Sequence, residues 1–115
     1  MPETPIVEKL RNQPILGDGG TIFELERRGY VSAGPFTPQV VLDHPEAVAQ
    51  LQTDFARAGA QVLQACTYYA HEEKLRAVGL TSDLKKINSQ AVAIARQVAD
   101  NYGCYVAGNI CNTWA

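Results

Sequence analysis

The sequence predicts an α/β fold built on a parallel sheet. Short apolar runs alternate with amphipathic stretches in the order strand, helix, strand, helix, strand, the pattern of parallel strands joined by crossover helices. Polar and glycine residues gather where the apolar runs end, as in ILGDGG at 15–20. Two long stretches, 45–58 and 82–101, carry apolar residues at spacings of three and four, the period of a helix buried on one face.

The first strand is PILGD, ending at Asp18, where an amphipathic segment begins. Residues 29–38, GYVSAGPFTP, hold two glycines and two prolines and are expected to turn. Val48, Leu51, Phe55 and Ala58 then trace one helical face. Pro45 suits a first helical position, Glu46 favours the positive end of the helix dipole, and Gly59 closes the helix. AQVLQACTYYA, rich in branched and aromatic residues, reads as the second strand. HEEKLRAVG is a short helix, started by His71 and stopped by Gly79. From Ser82, expected as an N-cap, Leu84, Ile87, Ala91, Ile94 and Val98 form a long stripe to about Asn101. CYVAGNI is the third strand, with no helix after it.

At 115 residues the chain supplies one small domain, 1–115. A complete (β/α)8 barrel runs to about 250 residues, so three strands and their helices make well under half of one. Hydrophobic residues make up 46% and charged residues 19%, which excludes disorder. The net charge of −2 is spread along the chain, and no basic stripe points to nucleic acid. No apolar run nears the roughly 20 residues that cross a bilayer. The N-terminus, MPETPIVEKLRNQP, carries two acids, unlike a secretory signal or presequence, so a cytoplasmic location is expected. Cys66, Cys104 and Cys111 form no C-x-x-C pair and no metal-finger spacing. They are read as free thiols, and none is assigned to a metal.

In parallel α/β sheets the polar residues at strand C-termini line the site. Asp18 can hold an ammonium group, and Gly19 and Gly20 can offer backbone N–H groups to a carboxylate. The trio would clamp an amino acid. The same residue types also make an ordinary turn, and residue types alone leave both open. G-D-G-G-T lacks the spacing of a dinucleotide fingerprint. In CTYYAH, alternation sets Leu63, Ala65, Thr67 and Tyr69 on one side of the strand and Val62, Gln64, Cys66 and Tyr68 on the other. One tyrosine face is thereby available to a cation, unless both rings simply pack. Phe36 lies between prolines in a stiff loop and can reach over a site. Asn109 and Asn112 near the last strand's end are either ligand contacts or turn residues.

Taken in order, ILGDGG, LERRGYVSAGPFTP, HPEAV, AGAQVLQACTYYAHEEKL and ARQVAD resemble the N-terminal third of the betaine branch of the homocysteine S-methyltransferase family. The resemblance runs from about Ile15 to about Gly108. It implies the first three or so βα units of a (β/α)8 TIM barrel, and transfer of a methyl group from betaine to the thiol of homocysteine, forming methionine. It implies that Asp18, Gly19 and Gly20 bind homocysteine, and that Tyr69 and Phe36 contribute rings to the betaine pocket. It also implies zinc, held by three cysteines in later strands of such proteins and activating the thiol as thiolate. Those ligands are expected outside this chain, which alone is not expected to catalyse the transfer. The family's betaine enzymes carry tryptophan where this sequence has Phe36. Phenylalanine is the weaker cation–π partner, so the donor is betaine or a related onium compound, a sulfonium such as S-methylmethionine included. The contrasting expectation is an inactive truncated fragment with exposed sheet edges. Homo-oligomerisation of the full-length protein is left open.

Overall fold

The computed structural model describes residues 2–32, 34 and 37–112. At its centre, β1 (Val62–Gln64) pairs in parallel with β2 (Tyr105–Ala107), in the register Val62↔Tyr105, Leu63↔Val106 and Gln64↔Ala107. On the other edge of β1, Gly17 forms a single parallel bridge with Val62. The three segments therefore run side by side in sequence order, as crossover connections require.

The helices are α1 (Ile6–Asn12), α2 (Thr21–Arg27), α3 (Val40–Asp43), α4 (Pro45–Arg57), α5 (Glu72–Ala77) and α6 (Leu84–Tyr102). Helices α4 and α6 pack on each other and on one face of the sheet. Val48 and Leu51 of α4 meet Ile87, Ala91 and Ile94 of α6 in the main apolar core, with Leu25, Val41 and Leu75. A second cluster joins Leu63 of β1 to Val98, Ala99 and Cys104. Burial along β1 follows from this one-sided cover: Leu63 is fully buried while Gln64 is exposed. Gly103 ends α6 in the left-handed conformation, φ 67°, which glycine adopts without a Cβ penalty.

Several sequence expectations change. The first strand shrinks to its bridge: Leu16 is 58% exposed, and among the described residues only its β1 side is paired. Gln61 and Val62 both donate N–H to the Leu16 carbonyl, and the Gln61 side chain accepts the Leu16 N–H. The second strand ends at Gln64. Ala65 still donates to the Ala107 carbonyl, but Thr67 N–H turns back to Ala65 O and Ala70 N–H to Thr67 O. The expected alternation therefore stops before the tyrosines, and Tyr69 takes φ 66°. Cys66 is buried and joins the main apolar core, while Leu63 belongs to the second cluster. Ala58 lies exposed at the end of α4, and Gln52 takes the inner position.

At the second long helix, Ser82 is no cap. Thr81–Asp83 forms a 3-10 turn, and α6 begins at Leu84 with no side-chain cap from Asp83. Two elements were not expected. Helix α1 buries no residue, so it left no apolar stripe to read. After the proline-rich loop, Thr37–Gln39 forms a 3-10 turn leading into α3, and both Val40 and Val41 are buried. No helix among the described residues is long and apolar enough to cross a membrane.

Candidate functional site

The site is built where the parallel segments end. Asp18 donates its backbone N–H to Val62 O at 3.0 Å, the last main-chain rung between its segment and β1. Two residues further along β1, the Gln64 N–H donates to Oδ2 of Asp18 at 2.9 Å. A ladder carbonyl would fill that place if the strand continued, so the carboxylate extends the ladder by one rung as the backbone leaves. Oδ1 lies 3.5 Å from the Gln64 Nε2, at the outer limit of a hydrogen bond. Burial raises the Asp18 pKa, and the hydrogen bonds from Gln64 offset that only in part.

Gly19 and Gly20 follow and lead into α2. At Gly19 the space for a Cβ is already taken: it would lie 3.0 Å from Cε1 of Phe55 on α4. The close approach at Gly19 is to the protein's own ring, which would have to give by a few tenths of an ångström to admit a Cβ. At Gly20 a Cβ would make only ordinary contact, 3.5 Å from the Phe23 Cβ.

A cleft of about 280 Å³ opens beside these residues, lined by Gly19, Gly20, Phe23, Gln64, Cys66, Tyr68 and Asn109 among others. Phe23 is 72% exposed at its edge. Of the two tyrosines, Tyr68 lines the cleft, while Tyr69 sits behind it. Their rings stack, centroids 4.2 Å apart, and the Lys74 Nζ lies 4.7 Å from the Tyr69 centroid. Tyr69 thus already faces a cation of its own chain, with Lys74 almost wholly buried. Its N–H donates to the Cys111 Sγ, tying the turn to the segment after β2. The Tyr68 phenol is raised above its ordinary pKa, first by its hydrogen bond with Tyr69. Phe36 lies outside the described residues.

His71 begins α5 as expected, its Nδ1 accepting the Lys74 N–H at 3.4 Å, while Nε2 meets the Asn112 carbonyl at 3.2 Å. Gln64 was not singled out from sequence as a site residue, although it is an exposed polar residue at a strand end. Asn109 donates from Nδ2 to the Gln64 Oε1 at 2.8 Å, a side-chain contact between strand ends rather than a bare turn.

The cysteines do not gather. Cys66 is buried beside the cleft, and burial first, then the nearby Asp18 charge, pushes its thiol up to about 11. Cys104 is buried in the second cluster, where it donates to Ala60 O, and its pKa is raised by that burial. Cys111 holds the Tyr69 N–H. Zinc takes deprotonated thiolates in one tetrahedral set. Among the described residues no group of three His, Cys, Asp or Glu side chains is placed to hold a metal ion. Cys66 and Cys104 are buried with raised pKa values, and half-buried Cys111 lies on another segment, so the three thiols do not form such a set.

Residues 15–115 match the family model for homocysteine S-methyltransferase. The chain belongs to the homocysteine S-methyltransferase family. Among relatives, it is 49% identical over 113 residues to betaine–homocysteine S-methyltransferase 1 of Bos taurus, covering 94% of this chain and 28% of that protein. The Sus scrofa protein of the same name is 48% identical, with 94% and 41% covered. Among solved structures, the homocysteine methyltransferase MmuM of Escherichia coli, in metallated form, superposes with a TM-score of 0.77 at 31% identity. That match covers 91% of this chain and 40% of the other. The chain thus spans well under half the length of these relatives, and its α/β fold is the one that MmuM shares over this region.

Proposed function

We propose that this chain is the N-terminal homocysteine-binding portion, a single partial domain at 1–115, of an enzyme that methylates homocysteine from betaine or a related onium donor. The observation that carries the reading is the near-complete match of this family member to proteins named betaine–homocysteine S-methyltransferase, with Asp18, Gly19 and Gly20 at the end of a parallel segment beside a cleft. The parallel segments, with α4 and α6 packed on one face and Gln64 exposed on the other, support about three βα units of a (β/α)8 barrel.

In this reading the Asp18 carboxylate, held by Gln64, binds the homocysteine ammonium, and the Gly19–Gly20 backbone meets its carboxylate. The donor's cationic head is met by aromatic faces, Phe36 and Tyr69 from the family pattern. Tyr68 stands between Tyr69 and the cleft, and stacks the two rings into one wall. Fixing acceptor and donor in one mouth supplies the alignment that a methyl displacement needs. Zinc enters this proposal only with ligands from outside these residues, and no step here is routed through it. The location proposed for the whole protein is the cytoplasm.

A sulfonium donor of the S-methylmethionine type is the second reading, favoured by Phe36 in place of the family's tryptophan. The test is methionine formation by the full-length protein, followed by mass spectrometry with betaine and with sulfonium donors in parallel. Methionine from betaine supports the first reading, and methionine from the sulfonium alone supports the second. No methionine from any onium donor, with zinc supplied, overturns both.

A further inference from the structure

We propose that Gln64 and Asn109 are positioning residues for Asp18, joined to it as a relay of side-chain amides across the ends of the parallel segments. The inference rests on the reading of Asp18 as the amino-acid anchor. Its geometry is a chain of contacts: Asn109 Nδ2 to Gln64 Oε1 at 2.8 Å, Gln64 Nε2 to Asp18 Oδ1 at 3.5 Å, and Gln64 N–H to Asp18 Oδ2 at 2.9 Å. Both amides line the cleft.

The direction of the relay follows from the charge at its end. An ionised carboxylate only accepts. Gln64 must therefore turn Nε2 toward Asp18, which leaves Oε1 for Asn109. Asn109 must in turn present Nδ2, and its Oδ1 is left buried with no partner among the described residues. Asn109 keeps an orphaned acceptor so that Gln64 can keep its donor on Asp18. The reverse orientation would set the Gln64 oxygen against the carboxylate.

The backbones beneath both amides are pinned independently. Gln52 on α4 donates from Nε2 to Gln64 O at 3.0 Å, and Thr67 Oγ1 donates to Asn109 O at 2.7 Å. Only the side chains remain to respond to Asp18. The titratable groups around the cleft are Cys66 and Tyr68, both raised and neutral at neutral pH. Glu24 on α2 and Asp54 on α4 both pair with Arg28. Asp18 is thus the group whose charge sets the relay.

The experiment follows the side-chain NH2 resonances of Gln64 and Asn109 by NMR in the full-length chain, from acid to neutral pH. Both pairs are expected to shift with the Asp18 carboxyl titration, and Asp18→Asn should abolish both shifts. Gln64→Met, which keeps the backbone N–H on Oδ2, should move the Asp18 titration upward. The acid limb of homocysteine binding, read by calorimetry, should move by the same amount, with affinity at neutral pH falling several-fold. If Gln64→Met does not fold, the unmodified protein still decides. Amide resonances that ignore the Asp18 titration overturn the relay, whatever homocysteine does. A relay that titrates in a protein with no homocysteine affinity leaves positioning standing and removes the anchor reading beneath it.

Discussion

Asp18 and Gln64 meet where two parallel strands part, and the Asp18 carboxylate takes the N–H that a strand carbonyl would otherwise accept, at 2.9 Å. One side chain thereby closes the ladder and sets a partly buried acid beside the cleft. The two uses pull in opposite directions. Closing the ladder needs only an acceptor, whereas anchoring an ammonium group needs the charge.

That conflict predicts the behaviour of Asp18→Asn. Burial raises the Asp18 pKa above its ordinary 3.8, so the folded state holds the proton more tightly than the unfolded chain. The stability this contributes is present below the ordinary value and lost as pH rises through the raised one. At neutral pH the ionised group is a cost, and asparagine removes it while keeping an oxygen for the Gln64 N–H. Asp18→Asn should match or exceed the parent in thermal unfolding at neutral pH, yet lose homocysteine affinity by at least about tenfold, roughly 1.4 kcal/mol. Strong destabilisation with binding intact would contradict both halves.

The glycines should separate. Gly19→Ala drives a Cβ to 3.0 Å from the Phe55 ring and should cost about 1–3 kcal/mol in urea unfolding, as overpacking does. Gly20→Ala meets only Phe23 at 3.5 Å and should change stability by less than about 0.5 kcal/mol. Trimming the ring with Phe55→Leu should restore part of the Gly19→Ala loss. Equal effects at the two positions would show that the ring contact does not set Gly19 apart.

Thiol labelling should follow burial. Cys66, pushed up to about 11, and buried Cys104 should resist iodoacetamide at mildly alkaline pH, while the half-buried Cys111 reacts first. Peptide mapping after a short exposure reads the order directly. Early modification of Cys66 would mean that its thiol is neither buried nor suppressed.

Acid should expose a weakness on α2. Arg27 and Arg28 hydrogen-bond to Glu24 and hold its carboxyl down to about 2 from an ordinary 4.5. A depressed acid contributes stability above its unfolded value and loses it as pH falls through the folded one. Chemical unfolding should therefore weaken between about pH 4.5 and 2, and Glu24→Gln should flatten that slope. The three side chains lie at the surface, partly open to solvent, so added salt should flatten it as well. A slope unchanged in Glu24→Gln would assign the acid sensitivity to other carboxylates.

The sequence by itself determined the class and order of the main elements. The stripe from Leu84 to Val98 and the pair Val48 and Leu51 are local patterns, and one buried helix face is enough to impose them. It also marked Asp18, Gly19 and Gly20 as a unit at a strand end. Tertiary structure decided what periodicity does not carry. Strand lengths depend on partners, and with pairing on one side only among the described residues, the first segment keeps one bridge, despite its apolar residues. The tyrosines left their expected alternation because the chain turns at Thr67 toward the segment after β2, a contact some 42 residues away. Phe55 filling the space at Gly19, Lys74 covering Tyr69, and Asn109 reaching Gln64 all join residues distant in sequence. No local spacing encodes such contacts, because packing chooses them only after the strands have been brought side by side.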